Sequence, residues 1–103
     1  MKLKQIIESG KVVYLEGAVN YSFIHFNDGT KVCIPLCIKA MQERLPGKYI
    51  RIHKSYLVNE LYLDVIETVA YEVTMHQGMI LPVSRRQMKR LKRDKNVTKF
   101  IRS

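Results

Sequence analysis

Short apolar runs separated by polar or glycine-containing breaks dominate this chain, and they predict strands more often than helices. Residues 12–15 form the first such run, and residues 17–20 then predict a loop or bulge. The runs 21–26 and 30–34 flank Asn27-Asp28-Gly29, where glycine readily adopts the positive φ of a tight turn. These two runs therefore predict a β-hairpin.

Two segments carry helical spacing instead. From Pro35 to Leu45, the apolar residues Ile38 and Met41 lie on one face, and residues 46–47, Pro-Gly, end the helix because both interrupt helical pairing. A second helix is predicted after residue 84. Together with strands over residues 49–52, 56–58, 62–71, 72–76 and 79–83, the pattern gives about seven strands and two helices, a mostly β fold. Residues 1–8 carry too few cues for an assignment.

A polar knuckle, His53-Lys54-Ser55, separates the β-prone runs 49–52 and 56–58. A polar segment between two strands is expected at the surface, because connecting backbone needs water or other partners for its hydrogen bonds. We therefore expect the knuckle to contact something other than the core.

The second helix begins at a predicted capping box, in which Ser84 and Gln87 each satisfy a backbone N–H of the other. Arg85 and Arg86 then occupy the first two helical positions, where cations oppose the helix dipole at a cost of roughly 0.3 to 1 kcal/mol each. Two arginines against this preference indicate a function outside the fold, such as binding a phosphate or a guanine edge. The alternative is that both pair with surface carboxylates.

The net charge of +9 is concentrated near the C-terminus. Residues 1–83 hold nine Lys or Arg against eight Asp or Glu, whereas residues 84–103 hold nine against Asp94 alone. A basic segment of this kind is typical of a protein that binds a polyanion, although a basic tail can also serve only solubility. Around the apolar Met88 and Leu91, the helix carries a basic ring: Lys89, Arg90, Lys92 and Arg93.

No enzyme motif is present: the sequence lacks HExxH, GxSxG and a glycine-rich phosphate loop. His25 lies in a strand pattern and is interpreted as structural. Cys33 and Cys37 lack a second Cys/His pair for zinc and are interpreted as small buried side chains. Three carboxylates in the strand-rich region are expected to face solvent: Glu60, Asp64 and Glu67. Neither a catalytic residue, a metal, a cofactor nor a small-molecule substrate is predicted.

At 103 residues the chain has room for one domain, and an apolar fraction of 47% fits a globular fold. Its apolar runs are far shorter than the roughly 20 residues of a membrane span, and no signal-like segment follows the N-terminus. We therefore expect a cytoplasmic protein without a membrane partner.

Several separate blocks follow one another along the sequence: Val13-Tyr14-Leu15-Glu16, Asn20-Tyr21, Asp28-Gly29, Leu45-Pro46, residues 49–59 (YIRIHKSYLVN) and residues 81–86 (LPVSRR). In their order and spacing these blocks resemble the LytTR DNA-binding domain family, the output module of LytR/AlgR-type bacterial response regulators. The resemblance covers about residues 12–91, a family-like core that a basic extension over residues 92–103 follows. The tail over residues 95–103 either adds phosphate contacts or stays mobile.

This resemblance implies small stacked sheets of antiparallel strands, one short mid-chain helix and a C-terminal basic helix. It implies transcriptional regulation through double-stranded DNA, whose successive major grooves the loops enter, often at paired direct repeats, with bending and with self-association on DNA. No receiver domain precedes the module in this sequence, which fits either a stand-alone regulator or one domain of a longer protein.

The DNA-facing segments of the family correspond to residues 20–22, the knuckle and the start of the second helix. Lys54 and Arg85 are the leading base-edge candidates, because their donors match guanine O6 and N7. The base-edge candidates are Asn20, Ser22, Lys54 and Arg85, and the phosphate candidates are Tyr21, His53, Ser55, Arg86, Lys89 and Arg90. Arg51 and His53 fit either a structural or a DNA-facing role, with the structural one slightly favoured.

Two other classes of function stay open at this point. An RNA- or ribosome-associated module would need exposed aromatic side chains for base stacking, and only Tyr21 and Tyr56 offer them. A protein-interaction module would use the basic face on an acidic partner.

Overall fold

The apolar runs become nine strands, and the helical patterns become two of three α-helices, in the computed structural model, which describes residues 2–102. The predicted mostly β fold is thereby confirmed. In chain order the elements are α1 (Leu3–Glu8), β1 (Val12–Ala18), β2 (Tyr21–Phe26), β3 (Lys31–Ile34), α2 (Ile38–Arg44), β4 (Tyr49–His53), β5 (Tyr56–Asn59), β6 (Leu63–Glu67), β7 (Glu72–Met75), β8 (Ile80–Pro82), α3 (Arg85–Arg93) and β9 (Ile101–Arg102).

Five strands form one sheet in the order β3-β2-β1-β5-β4, and four form a second in the order β8-β7-β6-β9. The predicted hairpin is confirmed as the β2–β3 pair, whose register pairs Phe23 with Cys33. Gly29 supplies a φ of +88° in its turn, and Asp28 accepts a hydrogen bond from the Thr30 N–H at 2.9 Å. Hydrogen bonds from Thr30, first from its side chain and then from its backbone, lower the pKa of Asp28.

The first sheet has an apolar core on each face. Because successive side chains of a strand point to opposite faces, Leu15 of β1 and Leu57 of β5 enter the core beneath α1 and α2. Their neighbours Tyr14 and Val58 enter the core shared with the second sheet and α3. Burial on both sides fixes the ends of β1 and β5, and with them the turns that follow.

The strand β1 continues to Ala18, so the predicted loosening at residue 17 was wrong. The Gly17 N–H donates to the carbonyl oxygen of Ser55 at 2.8 Å, which extends the pairing between β1 and the β4–β5 connection. A Cβ atom on Gly17 would lie only 3.0 Å from Cβ of Ile38. The missing side chain therefore lets α2 pack closely against β1. From the sequence pattern alone, Gly17 was interpreted as the start of a break in the strand.

The helix α2 begins at Ile38, not at Pro35 as predicted, with Cys37 as its N-cap in an extended conformation. The prediction that both cysteines are buried was also wrong: Cys33 is exposed and Cys37 is half-buried. Cys33 lies on β3, an edge strand whose residues are largely exposed, so its side chain has no second layer to cover it.

The helix α3 begins at Arg85, as predicted. Ser84 accepts a hydrogen bond from the Gln87 N–H at 3.2 Å, which is one half of the expected capping box. The other half was wrong, because the Ser84 N–H donates to the carbonyl oxygen of Ile52 at 2.9 Å instead. The start of α3 is therefore attached to β4 by a tertiary hydrogen bond.

The basic C-terminal segment is part of the fold as far as residue 102. Val97 is buried in the second core, and β9 pairs in parallel with β6. Two carboxylates expected to face solvent lie within ion-pair distance of this segment: Lys99 Nζ is 3.5 Å from Glu60 and Arg102 Nη1 is 3.3 Å from Glu67. Of the two alternatives for this tail, the strand pairing leaves little freedom for a mobile one. None of the helices between residues 2 and 102 has the length and apolar character that a membrane crossing requires.

Candidate nucleic-acid interface

Two predicted DNA-facing turns lie at the same end of the first sheet. The strands β1 and β5 are antiparallel neighbours, with Glu16 opposite Tyr56, so the end of β1 lies beside the start of β5. The β1–β2 turn, which contains Asn20, therefore emerges next to the knuckle, which contains Lys54. Both residues are exposed.

The start of α3 joins this end of the sheet through the hydrogen bond between Ser84 and Ile52, one residue before the knuckle. Arg85 and Arg86 are exposed beside it. A surface groove runs between α2, the knuckle and α3, and we call it the knuckle groove; its lining residues are Lys39, Gln42, Arg51, His53, Lys54, Ser84, Arg86, Gln87 and Arg90. Its five Lys and Arg residues, with no Asp or Glu among the lining residues, make it a strongly cationic surface.

Arg51 holds the knuckle in shape. Its guanidinium group donates to the carbonyl oxygens of His53 and Lys54, each at 2.6 Å, and to the side chain of Gln42 on α2. Burial lowers the pKa of Arg51, and the positive charge of Arg90 lowers it further. The structural role that the sequence slightly favoured for Arg51 is confirmed, and the arginine fixes the backbone from which Lys54 projects.

His53 contributes a neutral imidazole to the knuckle groove. The Ser55 N–H donates to Nδ1 of His53 at 3.1 Å, so Nε2 carries the proton of the neutral ring and remains a donor. Burial lowers the pKa of His53, followed by the positive charges of Lys54 and Arg51. The ring also contacts Tyr56, with the centroids 5.6 Å apart.

The β1–β2 turn presents Asn20 and Tyr21 but not Ser22. Tyr21 is 51% exposed, whereas Ser22 is 0% exposed and its hydroxyl group donates to the carbonyl oxygen of Leu36 at 2.7 Å. The base-edge prediction for Ser22 was therefore wrong, because the alternation along β2 turns this side chain inward. Val19, in the same turn, is exposed and has a φ of +53°.

Within residues 2–102, the arginines at the start of α3 have no carboxylate partner. The contacts at salt-bridge distance in this range are His25–Glu16, Lys99–Glu60 and Arg102–Glu67, and none of them involves α3. The alternative that Arg85 and Arg86 serve surface salt bridges is therefore not supported. Further along the helix, four more basic residues are exposed: Lys89, Arg90, Lys92 and Arg93.

The other titratable side chains do not assemble a metal site in the described part of the chain. His25 is structural, as expected: its Nε2 lies 3.1 Å from the Glu16 carboxylate, and its ring stacks on Tyr14 with the centroids 4.1 Å apart. Within residues 2–102, no three His, Cys, Asp or Glu side chains lie close enough together to hold a metal ion.

Two groups at this surface were missed at the level of sequence. Lys39 and Gln42 of α2 line the knuckle groove, although the sequence pattern had been used only to identify the apolar face of α2. Their position on the polar side of an amphipathic helix was the available signal. Tyr71 borders the start of α3. It lies in the turn between β6 and β7, so the predicted strand over residues 62–71 was wrong at its end: β6 ends at Glu67.

Comparison with known proteins gives a consistent result. The family model of the LytTr DNA-binding domain matches residues 5–96. The chain is 29% identical over 100 residues to the CO-responsive transcriptional regulator RcoM of Rhodospirillum rubrum, covering 85% of this chain and 39% of that protein. It is 26% identical over 90 residues to the transcriptional regulatory protein BtsR of Escherichia coli K12, covering 84% of this chain and 37% of that protein.

The fold agrees with that of a solved structure. A LytTr DNA-binding domain from a Bacillus cereus response regulator superposes with a TM-score of 0.73 at 22% identity, covering 82% of this chain and 80% of that one. The chain spans about two fifths of the length of the curated relatives described above, 39% and 37%. The family is a DNA-binding regulatory domain and not a class of enzymes. By the extent of the match, this chain belongs to the LytTr DNA-binding domain family.

Proposed function

We propose that this domain directs a transcriptional regulator to promoters by reading a specific base sequence in double-stranded DNA. The observation that carries the proposal is that Lys54 and Arg85 project from two backbone segments that are hydrogen-bonded to each other. Both are exposed, and the backbones that bear them are joined by the hydrogen bond between Ser84 and Ile52. Two donors at a fixed spacing suit two guanine edges in a major groove, where O6 and N7 are the acceptors.

A third base contact would come from Asn20 in the neighbouring turn, since a carboxamide matches the N6 and N7 groups of adenine. The surrounding residues would bind phosphates, which fix the position of the protein without reading sequence. These are Tyr21, His53, Ser55, Arg86, Lys89 and Arg90. The positive charge of the knuckle groove supports this division, because the residues lining it include no carboxylate that would repel DNA.

Paired direct repeats and self-association on DNA are a second part of the proposal. The domain measures 40 × 25 × 20 Å, whereas one turn of duplex spans roughly 34 to 36 Å. One copy therefore covers about a single turn, and two adjacent repeats would take two copies. A duplex with two half-sites should bind both copies with positive cooperativity when the sites are about 10 to 11 base pairs apart, and less when they are half a turn out of phase.

The test is an in vitro selection followed by binding measurements. The purified 103-residue protein selects from a randomised 30-base-pair library, and fluorescence anisotropy then compares the enriched duplex with a scrambled one over a salt series. We expect a preference for the enriched duplex of at least a hundredfold and a steep salt dependence. Equal affinity for both duplexes would overturn sequence-specific reading. Tighter binding to a single-stranded RNA of the same sequence would favour an RNA-binding module instead.

A further inference from the structure

Tyr71 stands at the edge of the proposed DNA-binding surface. It lies in the turn between β6 and β7 and is 38% exposed. A second surface groove runs beside the start of α3, and we call it the Tyr71 groove; its lining residues are His53, Tyr71, Pro82, Val83, Ser84, Arg85 and Lys89. An exposed phenol thus shares a groove with two cations and with the imidazole of the knuckle.

The backbone holds Tyr71 in this place. The Val83 N–H donates to the carbonyl oxygen of Tyr71 at 2.8 Å, and Glu72 pairs with Pro82 in the ladder between β7 and β8. Val83 is only two residues before Arg85. The second sheet therefore brings Tyr71 to the same end of the molecule as the knuckle and the start of α3.

The conformation of Tyr71 is unfavourable for a tyrosine. Its φ is +55°, in the left-handed region that favours glycine or asparagine. Gln77, in the connection between β7 and β8, has a φ of +71°, so a polar residue adopts this conformation elsewhere in the second sheet. The left-handed conformation does not itself favour an aromatic ring, and a residue in this conformation beside a basic surface points to a role in binding.

We propose that Tyr71 binds DNA through its hydroxyl group. This group donates a hydrogen bond to a backbone phosphate next to the DNA major groove that Arg85 enters. This inference rests on the proposed function. Arg85 and Lys89 draw the phosphate backbone toward the Tyr71 groove, and a phenol on a rigid ring loses little conformational freedom when it binds. Because the phenol is uncharged, its contribution is independent of base sequence and also of salt.

The test uses Tyr71→Phe, which removes only the hydroxyl group, and Tyr71→Asn, which removes the ring but tolerates the left-handed backbone. Gln77→Asn is the matched control at the opposite end of β7, roughly 20 Å away at about 3.3 Å per strand residue. Affinities for the enriched 30-base-pair duplex and for a scrambled duplex are measured by anisotropy over a salt series. Thermal unfolding checks that each variant is folded.

We expect Tyr71→Phe to weaken binding to both duplexes by about three- to tenfold with an unchanged salt slope. Lys89→Ala, in contrast, should lower that slope by about one. Ethylation of one particular phosphate should weaken the wild-type complex but not the complex with Tyr71→Phe. Gln77→Asn should bind like the wild type.

Wild-type affinity of Tyr71→Phe on both duplexes would overturn the role of Tyr71 and leave the proposed function intact. A changed salt slope or a loss confined to the enriched duplex would overturn the phosphate contact. If the wild-type protein binds neither duplex, the proposed function and this inference fall together.

Discussion

The knuckle and the outer face of α3 are both basic, but they hold their cations differently. Lys54 projects from a turn in which the half-buried Arg51 fixes two carbonyl groups. Lys92 projects from the exposed side of a helix. A base edge must be met within a fraction of an ångström, whereas a phosphate can be reached by a flexible side chain. We therefore expect rigidity, more than charge, to separate the proposed base-reading residues from the proposed phosphate-binding ones.

The largest effect is expected for Arg85→Ala. If Arg85 reads a guanine, its loss should cost roughly 1 to 3 kcal/mol on the enriched duplex and much less on a scrambled one. Anisotropy titrations on both duplexes measure the difference. Arg93→Ala, at the opposite end of the same helix, is the matched control and should affect both duplexes alike. Equal losses for Arg85→Ala on the two duplexes would remove Arg85 from the base-reading set.

A slightly smaller effect is expected for Arg51→Lys, which tests the rigidity of the knuckle without changing its charge. An ammonium group cannot reproduce the planar fork that meets the His53 and Lys54 carbonyl groups together. We expect a loss of about 1 to 2 kcal/mol on the enriched duplex, with a smaller loss on the scrambled one. Arg44→Lys, on the exposed side of α2, controls for the exchange itself. A uniform loss on both duplexes would mean that Arg51 acts only through overall charge or stability.

These two arginines also mark how far the sequence predicts the site. Arg85 was identified because a cation at the start of a helix conflicts with a local rule, and such conflicts are visible along the chain. The strand pattern slightly favoured a structural role for Arg51, but the contact of Arg51 with Gln42, nine residues earlier and on another element, is visible in no local pattern. Residues that conflict with a local rule can thus be identified from the sequence. The contacts that support them are visible only in the tertiary structure.

The fold shows the same difference between features that local sequence predicts and features that depend on tertiary structure. The β2–β3 hairpin followed from Asp28-Gly29 alone, because its turn chemistry is local. Ser22 was misplaced, because a shift of one residue along a strand exchanges the inward and outward faces. The parallel pairing of β9 with β6 joins residues 35 positions apart, such as Ile66 and Ile101, and a two-residue strand carries no periodic signal.

Lys92→Ala tests the other side of the comparison and should have a modest effect. Removing one exposed cation that contacts phosphate should weaken binding by about 0.5 to 1 kcal/mol on both duplexes and lower the salt slope by about one. A salt series from roughly 50 to 200 mM measures both quantities. Lys11→Ala, at the far end of β1, should change neither. A loss confined to the enriched duplex would show that the helix face reads sequence and does not bind phosphates alone.

The smallest effect concerns pH and His53, where folding and binding should respond in opposite directions. Burial, Lys54 and Arg51 lower the pKa of His53 below 6.5 in the folded domain. The stability that depends on the neutral ring is therefore fully present above pH 6.5 and is lost as the pH falls through the lowered pKa.

A bound phosphate would favour the protonated ring, so DNA affinity should rise by about two- to threefold over the same fall in pH. Thermal unfolding and anisotropy between about pH 5.5 and 7.5 give the two slopes, and His53→Gln should flatten both. Slopes of the same sign, or an affinity slope that survives in His53→Gln, would separate His53 from the phosphate contacts and leave the knuckle to Lys54 alone.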